Sequence, residues 1–366
     1  MGNANLTGRY SVRVYAICKD ELKFAARFMQ SVREADEVIV LDTGSTDGTD
    51  GELERLGARV HRAIVAPWRF DVARNLSLTH VPDDTDICVC IDLDEVLTPG
   101  WRAALERAWT PDATRCTYSY TWSWNADGSP GMTFWNEKIH ARRGFRWIHP
   151  VHEVLTWSGP SPEIWVRSEE FQLHHFPDVM KPRSNYLPLL ELAVQETPDH
   201  PRNAHYLGRE YHFYGHHQQS IAELRRHLSL PAATWVPERA ASMRLIAQGY
   251  AALGDIREAL RWSFDATLEC PEIRETWYEL LKHAYNAKNW PLAAYAADGA
   301  LAISVRPTLY LNEPEAWGWQ CHDYASIAYW NVARKAEALV QVTEANRLNP
   351  GDSRIEANVR LMTPPS

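Results

Sequence analysis

Acidic side chains follow two short apolar runs in the first half of the chain. Residues 38–41 are all aliphatic and lead into Asp42, and the mostly apolar residues 86–91 lead into Asp92 and Asp94. Such a run is typical of a strand that is buried on both faces. Ligands of open α/β sheets bind beyond the carboxyl ends of the strands, so the two acidic clusters predict one polar pocket. Either cluster alone would be better explained by a surface turn, and it is their occurrence together that favours a pocket.

The Asp-x-Asp spacing of Asp92 and Asp94 suits a cation. Carboxylates at positions i and i+2 of a strand point to the same side, so these two could converge on one cation, or on a ligand hydroxyl and a cation. Hard oxygen ligands favour Mg²⁺ or Mn²⁺ over softer metals. The spacing therefore predicts a divalent-metal site, although the same pattern is frequent in solvated turns.

Strands and helices alternate around these clusters. The predicted strands are 11–18, 38–41, 58–60 and 86–91, and the predicted helices are 22–29, 51–56, 71–78 and 99–108. Repeated strand-then-helix units predict an α/β fold with a mostly parallel sheet and helices on its faces. Residues 115–175 continue with the alternation and turn signals of further strands and loops.

Four motifs in this order resemble glycosyltransferase family 2, which has the GT-A fold. The motifs are Ala16-Ile-Cys-Lys-Asp-Glu21, Asp42-Thr-Gly-Ser-Thr-Asp-Gly-Thr49, Phe70-Asp-Val-Ala-Arg-Asn75 and Asp92-Leu-Asp-Glu95. The resemblance covers about residues 10–180 and implies a Rossmann-like sheet domain that binds a nucleotide-sugar donor. Many relatives carry Asn at the position of Asp20 and Asp at that of Thr43, and these departures leave the identity of the nucleotide open.

The resemblance also implies roles for single residues. It places Ile17, Glu21 and Asp42 around the base and ribose, Arg74 near the nucleotide, Asp92 near the ribose or the metal, and Asp94 on the metal. A His-Glu pair and a later His follow the acidic motif in relatives, which implies Glu153 as the catalytic base and His175 as a metal ligand. His152 is the alternative for either role. Each of the three is equally consistent with a polar residue on a half-buried strand.

Glycosyl transfer from a nucleotide sugar explains why these residue types are needed. Departure of a nucleoside diphosphate develops negative charge, which Mn²⁺ or Mg²⁺ held by Asp94 would neutralise. A carboxylate or imidazole would take the proton of the acceptor, giving a single displacement with inversion at the anomeric carbon. We expect a UDP-sugar as the donor.

The second half is helical throughout and contains an internal repeat. A Tyr closes each of four helices, with a turn residue four positions later and a small residue nine positions later. The sets are Tyr211, Gly215, Ser220; Tyr250, Gly254, Ala259; Tyr285, Asn289, Ala294; and Tyr329, Ala333, Ala338. The intervals of 39, 35 and 44 residues are close to the ~34 of a tetratricopeptide repeat.

The repeats predict an all-α, tetratricopeptide-like solenoid at 181–366, and the family resemblance implies a GT-A domain at 1–180 before it. Such an array exposes a groove that could hold an acceptor or partner protein, or it could merely support the first domain or form a homodimer contact. Residues 305–317, which include two prolines, are predicted to be an insertion that could cover this groove.

Composition limits the class of protein. The chain of 366 residues carries a formal charge of −9, which disfavours a nucleic-acid partner without excluding a local basic patch. The six cysteines form no C-x-x-C pair, which favours reduced core residues and a cytoplasmic location. We also expect no secretory signal and no membrane span.

The resulting hypothesis is a cytoplasmic, metal-dependent, inverting glycosyltransferase whose repeats hold an acceptor protein or peptide. A glycan or lipid precursor and a hydroxymethylated DNA base are alternative acceptors. A catalytically inactive binding scaffold and a nucleotidyltransferase are the alternative functions.

Overall fold

Two structural units make up the chain, spanning residues 1–185 and 186–366. The computed structural model describes residues 10–125, 127–178 and 186–364. The predicted domain boundary between residues 180 and 181 lies outside the described residues.

The first unit alternates strands and helices before it becomes mainly β. Its strands are β1 Val12–Cys18, β2 Glu37–Asp42, β3 Arg59–Arg62, β4 Ile87–Cys90, β5 Glu95–Leu97, β6 Arg115–Thr121, β7 Thr133–Ala141, β8 Phe145–Ile148, β9 Val154–Trp157 and β10 Trp165–His175. Its helices are α1 Leu22–Ser31, α2 Thr49–Arg55, α3 Phe70–Thr79 and α4 Trp101–Ala108. Each predicted element of residues 11–108 is present, with ends that differ by a few residues.

One mixed sheet organises this unit, with the strand order β3-β2-β1-β4-β7-β6-β10-β5. Strands β3, β2, β1 and β4 are parallel, whereas β7 runs antiparallel to both β4 and β6. Strand β10 is parallel to β6 and antiparallel to the short β5. Strands β8 and β9 form a separate hairpin. The predicted α/β class with a mostly parallel sheet is confirmed.

The sheet is buried on both faces, as its continuous apolar runs require. Side chains alternate along β1, so Val14 packs in the cluster that contains Phe28 and Trp101, and Tyr15 packs in the opposite cluster with Trp147. All five are almost fully buried. Burying a large apolar side chain contributes roughly 1.5–3 kcal/mol, so the two clusters hold the strand ends at fixed positions.

Helices alone build the second unit, which confirms the predicted all-α part of the fold. They are α5 Tyr186–Glu196, α6 Pro201–Phe213, α7 His217–Ser229, α8 Val236–Ala252, α9 Ile256–Glu269, α10 Arg274–Asn286, α11 Trp290–Ala302, α12 Pro314–Trp317, α13 Trp319–Asn331, α14 Lys335–Leu348 and α15 Ser353–Met362. Antiparallel neighbours pair as α6 with α7, α8 with α9, α10 with α11, and α13 with α14.

The first helices of successive pairs also pack on one another, α6 on α8 and α8 on α10. We call the surface of α6, α8 and α10 that faces away from the second helices the inner face. Small residues let the paired helices approach closely. A Cβ added to Gly208 in α6 would lie 2.5 Å from Leu224 Cγ in α7, so a larger residue there would push the pair apart.

The turn inside each pair has the same geometry in all four repeats. One residue adopts the left-handed conformation, and the backbone N–H of the next residue donates to a carbonyl near the end of the first helix. The left-handed residues are Gly215, Gly254, Lys288 and Ala333. The hydrogen bonds run from His216 to Tyr211, Asp255 to Tyr250, Asn289 to Ala284 and Arg334 to Tyr329, at 2.8–2.9 Å.

The predicted register of the third repeat is therefore wrong by one residue. Ala284, and not Tyr285, occupies the position of the other three tyrosines, and Lys288 takes the turn position assigned to Asn289. Asn289 is instead the N-cap of α11, where its side chain accepts from Leu292 N. The error arose because Lys stands where a turn residue was expected and a Tyr happens to follow Ala284.

This register predicts opposite effects for two neighbouring glycine substitutions. Lys288→Gly should raise the free energy of unfolding by about 1 kcal/mol, because the left-handed conformation is costly for a residue with a Cβ. Asn289→Gly should lower it by a few tenths of a kcal/mol through loss of the cap. Urea unfolding followed by circular dichroism measures both, and a stabilising Asn289→Gly would restore the register predicted from sequence.

All six cysteines lie among the described residues and are buried as free thiols, as their apolar surroundings predicted.

Over residues 10–125, 127–178 and 186–364, no helix combines the length and the apolar character that crossing a membrane requires.

Candidate active site

The loops that follow β1 and β2 are cross-linked into one structure at the carboxyl edge of the sheet. Asp20 accepts a hydrogen bond from Thr46 N at 2.7 Å, and Asp47 accepts one from Leu22 N at 3.1 Å. Thr43 donates from both its backbone N–H and its hydroxyl to the Cys18 carbonyl. The two departures from the family pattern, Asp20 and Thr43, are thus residues that hold these loops together.

Asp42 shapes the second loop from inside. Its side chain is buried, and its Oδ1 accepts hydrogen bonds from Gly44 N at 2.9 Å and Ser45 N at 2.8 Å. Gly44 has φ of +106°, a conformation that favours glycine. The carboxylate thereby fixes which backbone groups of the turn face the edge of the sheet.

The other two residues predicted at the base and ribose lie beside this turn. Ile17 is buried in a small apolar cluster with Leu41 and Ala73, against which Trp68 packs. Glu21 begins α1 as its N-cap, and its backbone N–H donates to Thr49 Oγ1 at 2.8 Å. An apolar cluster therefore lies next to a polar turn at this edge of the sheet.

Arg74 joins two carboxylates from distant parts of the chain. Its Nε donates to Glu153 Oε1, and its Nη2 donates to Asp92 Oδ1 at 2.9 Å. The side chain is 4% exposed, and its guanidinium lies 5.2 Å from the ring centre of Trp147. Burial would lower the pKa of Arg74, but the charges of Asp92 and Glu153 outweigh burial and raise it. Arg74 is therefore a permanent cation at the centre of the site.

Lys138 on β7 adds a second cation, which carried no signal in the sequence. Its Nζ lies 3.3 Å from Asp92 Oδ2 and 4.0 Å from Glu95 Oε1. Burial would raise the pKa of Asp92, but Arg74 and Lys138 overcome that effect and hold the pKa well below its usual range. Glu95 is also buried and accepts hydrogen bonds from Asp92 N and the Tyr120 hydroxyl. Asp92 is thus an ionised carboxylate clamped between two cations.

Asp92 and Asp94 do not lie on a strand, contrary to the argument from their i, i+2 spacing. Strand β4 ends at Cys90, and both aspartates lie in the segment between β4 and β5. Asp92 contacts the two cations, whereas Asp94 Oδ2 lies 3.3 Å from His175 Nε2. The spacing argument failed because the chain turns as soon as it leaves the sheet.

Sheet pairing brings His175 to Asp94. Strand β5 begins directly after Asp94 and pairs antiparallel with the end of β10, with Glu95 opposite His175. Phe176 N donates to the Asp94 carbonyl at 2.9 Å, which ties the two segments again. Two residues 81 positions apart in the sequence are therefore neighbours because of strand register.

His175 has the features of a metal-ligating imidazole. Its Nδ1 lies 3.1 Å from the Trp122 carbonyl, which fixes Nδ1 as the donor and turns Nε2 towards Asp94. Burial lowers the pKa of His175, but the hydrogen bond and charge of Asp94 raise it above its ordinary value.

Of the three predicted metal ligands, Asp94 and His175 are in contact with each other, whereas Asp92 contacts Arg74 and Lys138 instead. Among the described residues no cluster of three or more His, Cys, Asp or Glu side chains could hold a metal ion. A Mg²⁺ or Mn²⁺ ion can nevertheless be bound by few protein ligands when substrate phosphates complete its shell. Asp94 with His175 fits that role.

Helix α3 holds the loop that carries Glu153 and His152. Phe70 N donates to the Pro150 carbonyl at 3.0 Å, and the Asn75 side-chain amide exchanges two hydrogen bonds of 2.8 and 2.9 Å with the backbone of Trp147. His152 has φ of +49°, a strained conformation that persists only where its surroundings enforce it. Two residues of the motif 70–75 therefore help to position Glu153. Asn75 holds the backbone of Trp147 before the loop, and Arg74 holds the Glu153 carboxylate directly.

Two tryptophans of the aromatic-rich segment have opposite environments. Trp147 is buried and donates from Nε1 to the Tyr15 hydroxyl at 2.9 Å, so it belongs to the core. Trp122 is 47% exposed, and its ring stacks on His175 with ring centres 4.4 Å apart. An exposed aromatic face next to the predicted metal ligand is suited to contact with a sugar ring.

Residues 14–153 match the family model described as Glycosyl transferase family 2. An uncharacterized glycosyltransferase of Rickettsia conorii is 35% identical over 105 residues, which are 28% of this chain and 35% of that protein. The chain therefore spans about a third of the length of this curated relative. The first unit carries a family 2 glycosyltransferase domain, as its four motifs predicted.

Solved structures of tetratricopeptide repeat (TPR) proteins are similar to the helical part of the chain. YrrB, a TPR protein with an unusual peptide-binding site, has 14% identity and a TM-score of 0.39, over 47% of this chain and 81% of its own. A thermophilic TPR protein of Thermus thermophilus has 19% identity and a TM-score of 0.34, over 48% of this chain and 88% of its own. These scores are too low to support an inference about a ligand.

The hydrogen bonds between Asn75 and the backbone of Trp147 predict an effect that can be measured without an activity assay. Asn75→Ala removes two hydrogen bonds to the backbone of Trp147, and each should contribute about 1 kcal/mol. Amide exchange in residues 145–157 should therefore accelerate by roughly tenfold or more, as measured by hydrogen–deuterium exchange. Exchange in β1 should stay as in the wild type, and unchanged exchange in the hairpin would show that Asn75 does not hold it.

Proposed function

We propose that this protein is a glycosyltransferase that moves a sugar from a nucleoside diphosphate sugar to an acceptor with inversion. The observation that carries the proposal is that Arg74 joins Glu153 to Asp92, which lies two residues before the Asp94–His175 pair. A nucleotidyltransferase would equally need the Asp94–His175 pair, but a further carboxylate tied to the same segment by Arg74 favours transfer to an acceptor hydroxyl or similar nucleophile.

The donor would lie along the loops after β1 and β2. The apolar cluster at Ile17 suits the face of a base, and the polar groups of Glu21 and the Asp42 turn suit a ribose. Of the nucleotides, we propose UDP, with Mn²⁺ or Mg²⁺ bound by Asp94 and His175 next to the diphosphate. The cation, when bound, would neutralise the charge that develops on the leaving diphosphate.

Arg74 and Lys138 prepare the site for that charge. They clamp Asp92 in one position, from which its carboxylate can accept a hydrogen bond from the donor. Because both cations are already ordered, they need little rearrangement when the transition state forms, and this preorganisation is the main source of electrostatic catalysis.

Glu153 would act as the general base. Its ion pair with Arg74 uses Oε1, so Oε2 can take the proton of the acceptor as the new glycosidic bond forms. His152, one residue away in the strained loop, is the alternative base. Trp122 would support a sugar ring on its exposed face.

We propose a protein or peptide as the acceptor, presented by the helical unit. The support is the face of the helices α6, α8 and α10, whose buried polar side chains bind a segment of the chain itself. The free, buried cysteines support a reducing compartment such as the cytoplasm.

Incubation with a panel of nucleotide sugars and Mn²⁺ tests the reaction. Release of a nucleoside diphosphate is expected. Glu153→Gln keeps an amide oxygen that can still accept the hydrogen bond of Arg74, so it should lower kcat by about 100-fold or more while the donor Kd stays within about twofold. Release of a sugar 1-phosphate, with transfer of the nucleoside monophosphate, would instead indicate a nucleotidyltransferase. No release and no nucleotide binding by the wild type would leave the scaffold hypothesis.

Cation binding is testable without turnover. His175→Ala should weaken Mn²⁺ binding in the presence of UDP by about tenfold or more, as measured by electron paramagnetic resonance. His174→Ala is the matched control, because His174 precedes His175 on β10 and points to the opposite face of the strand. Equal affinities in the two variants would remove His175 from the metal site.

A further inference from the structure

The insertion into the helical array lies on the inner face. We call residues 305–317 the strap. Its residues contact each of the three helices that form this face: Tyr310 with Tyr206 of α6, Tyr310 and Leu311 with Glu238 and Arg244 of α8, and Glu313 with Glu275 of α10. The prediction that the insertion could cover the groove agrees with these contacts.

Arg244 holds the strap by its backbone and by one side chain. Its Nη2 donates to the Leu311 carbonyl at 3.2 Å, and its Nη1 lies 3.2 Å from Glu313 Oε1. The Arg244 side chain is 3% exposed, and neither its Nε nor its Nη1 has a hydrogen-bond partner within the described residues. A buried guanidinium requires compensation of its charge, and here the Leu311 carbonyl and the Glu313 carboxylate of the strap contribute it.

Glu275 and Glu238 complete the recognition of the strap. Glu275 Oε1 accepts hydrogen bonds from Glu313 N at 3.2 Å and Trp317 Nε1 at 2.8 Å. Glu238 Oε2 accepts one from the Tyr310 hydroxyl at 2.8 Å. Both glutamates are buried, so neither contact lies on the exposed surface of the helices.

An apolar anchor precedes these polar contacts. Leu309 packs against the buried cluster of Ala240, Cys270 and Ile273, and the Tyr310 ring lies 5.6 Å from that of Trp235. The strap thus presents an apolar residue, a tyrosine and, three positions after the tyrosine, a carboxylate. Each has a matching group on the inner face.

We propose that the strap is an internal mimic of a peptide ligand, and that the inner face binds peptides in which an acidic residue follows a tyrosine by three positions. The strap turns at Tyr310 and Leu311, and Arg244 and Glu275 bind its backbone groups as well as its side chains, as a groove that recognises a peptide segment does. The tethered strap competes with such a peptide at a high effective concentration. The inference rests on the proposed function only in regarding the bound peptide as an acceptor.

A labelled peptide with the sequence of residues 308–315, Thr-Leu-Tyr-Leu-Asn-Glu-Pro-Glu, is the probe. In the full-length double variant Tyr310→Phe, Glu313→Gln, the strap loses its bond to Glu238 and its ion pair with Arg244. The variant should bind the peptide at least about tenfold more tightly than the wild type, as measured by fluorescence anisotropy, because two contacts that hold the competing strap in place are lost. A peptide with the same two changes should lose that gain.

Glu315→Gln is the matched control, because it removes the same charge two residues after Glu313, at a side chain that is exposed. In the protein it should leave peptide affinity at the wild-type value, and in the peptide it should leave binding intact. Equal binding of the peptide by the double variant and the wild type, or equal binding of the doubly changed peptide, would overturn the proposal.

Hydrogen–deuterium exchange on the wild type gives a second test that needs no variant. Millimolar peptide should speed exchange of strap amides by displacing the strap, and unchanged exchange at saturating peptide contradicts the mimicry. Both tests omit nucleotide sugar and metal, so their failure would leave glycosyl transfer untouched. Failure of the transfer assay would equally leave peptide binding standing.

Discussion

The buried ion pairs of Arg74 are the interaction on which the first unit's site depends. Removing one partner of a buried charge pair typically costs about 3–5 kcal/mol, because the remaining charge is left uncompensated in a poorly solvated place. Arg74 lies on α3, Asp92 follows β4, and Glu153 precedes β9. None of the three segments can therefore move far without exposing or isolating a charge, and the position of Glu153 is linked to that of Asp92.

The antiparallel strand pairs beyond β4 bring to the site side chains that the parallel strands do not provide. Strand β7 enters the sheet between β4 and β6 and brings Lys138 to Asp92. Strand β5 pairs with β10 and brings His175 to Asp94. The loops proposed to bind the nucleotide thus follow the parallel strands, whereas the groups proposed to meet a metal and a diphosphate come partly from the antiparallel ones.

Buried charge organises the helical unit as well. On the inner face Glu238, Arg244 and Glu275 are buried, and all three contact the strap. Repeat arrays gain stability from contacts between neighbouring repeats, and an insertion that bridges three helices adds to those contacts while occupying the surface that a partner would use. Stability of the array and access to its inner face are therefore opposed in this chain.

The sequence by itself determined the order of the elements, the division into a sheet part and a helical part, and the identity of the family 2 domain. These follow from local periodicity and short motifs, which act over a few residues. Only the tertiary structure decided which carboxylate meets which cation. Asp92 and Asp94 differ by two positions yet face different partners, Lys138 and His175 reach them through strand pairing, and the third repeat shifts by one residue because Lys288 adopts a conformation usually left to glycine. Contacts between residues far apart in sequence depend on register and chain direction, and no local pattern encodes either.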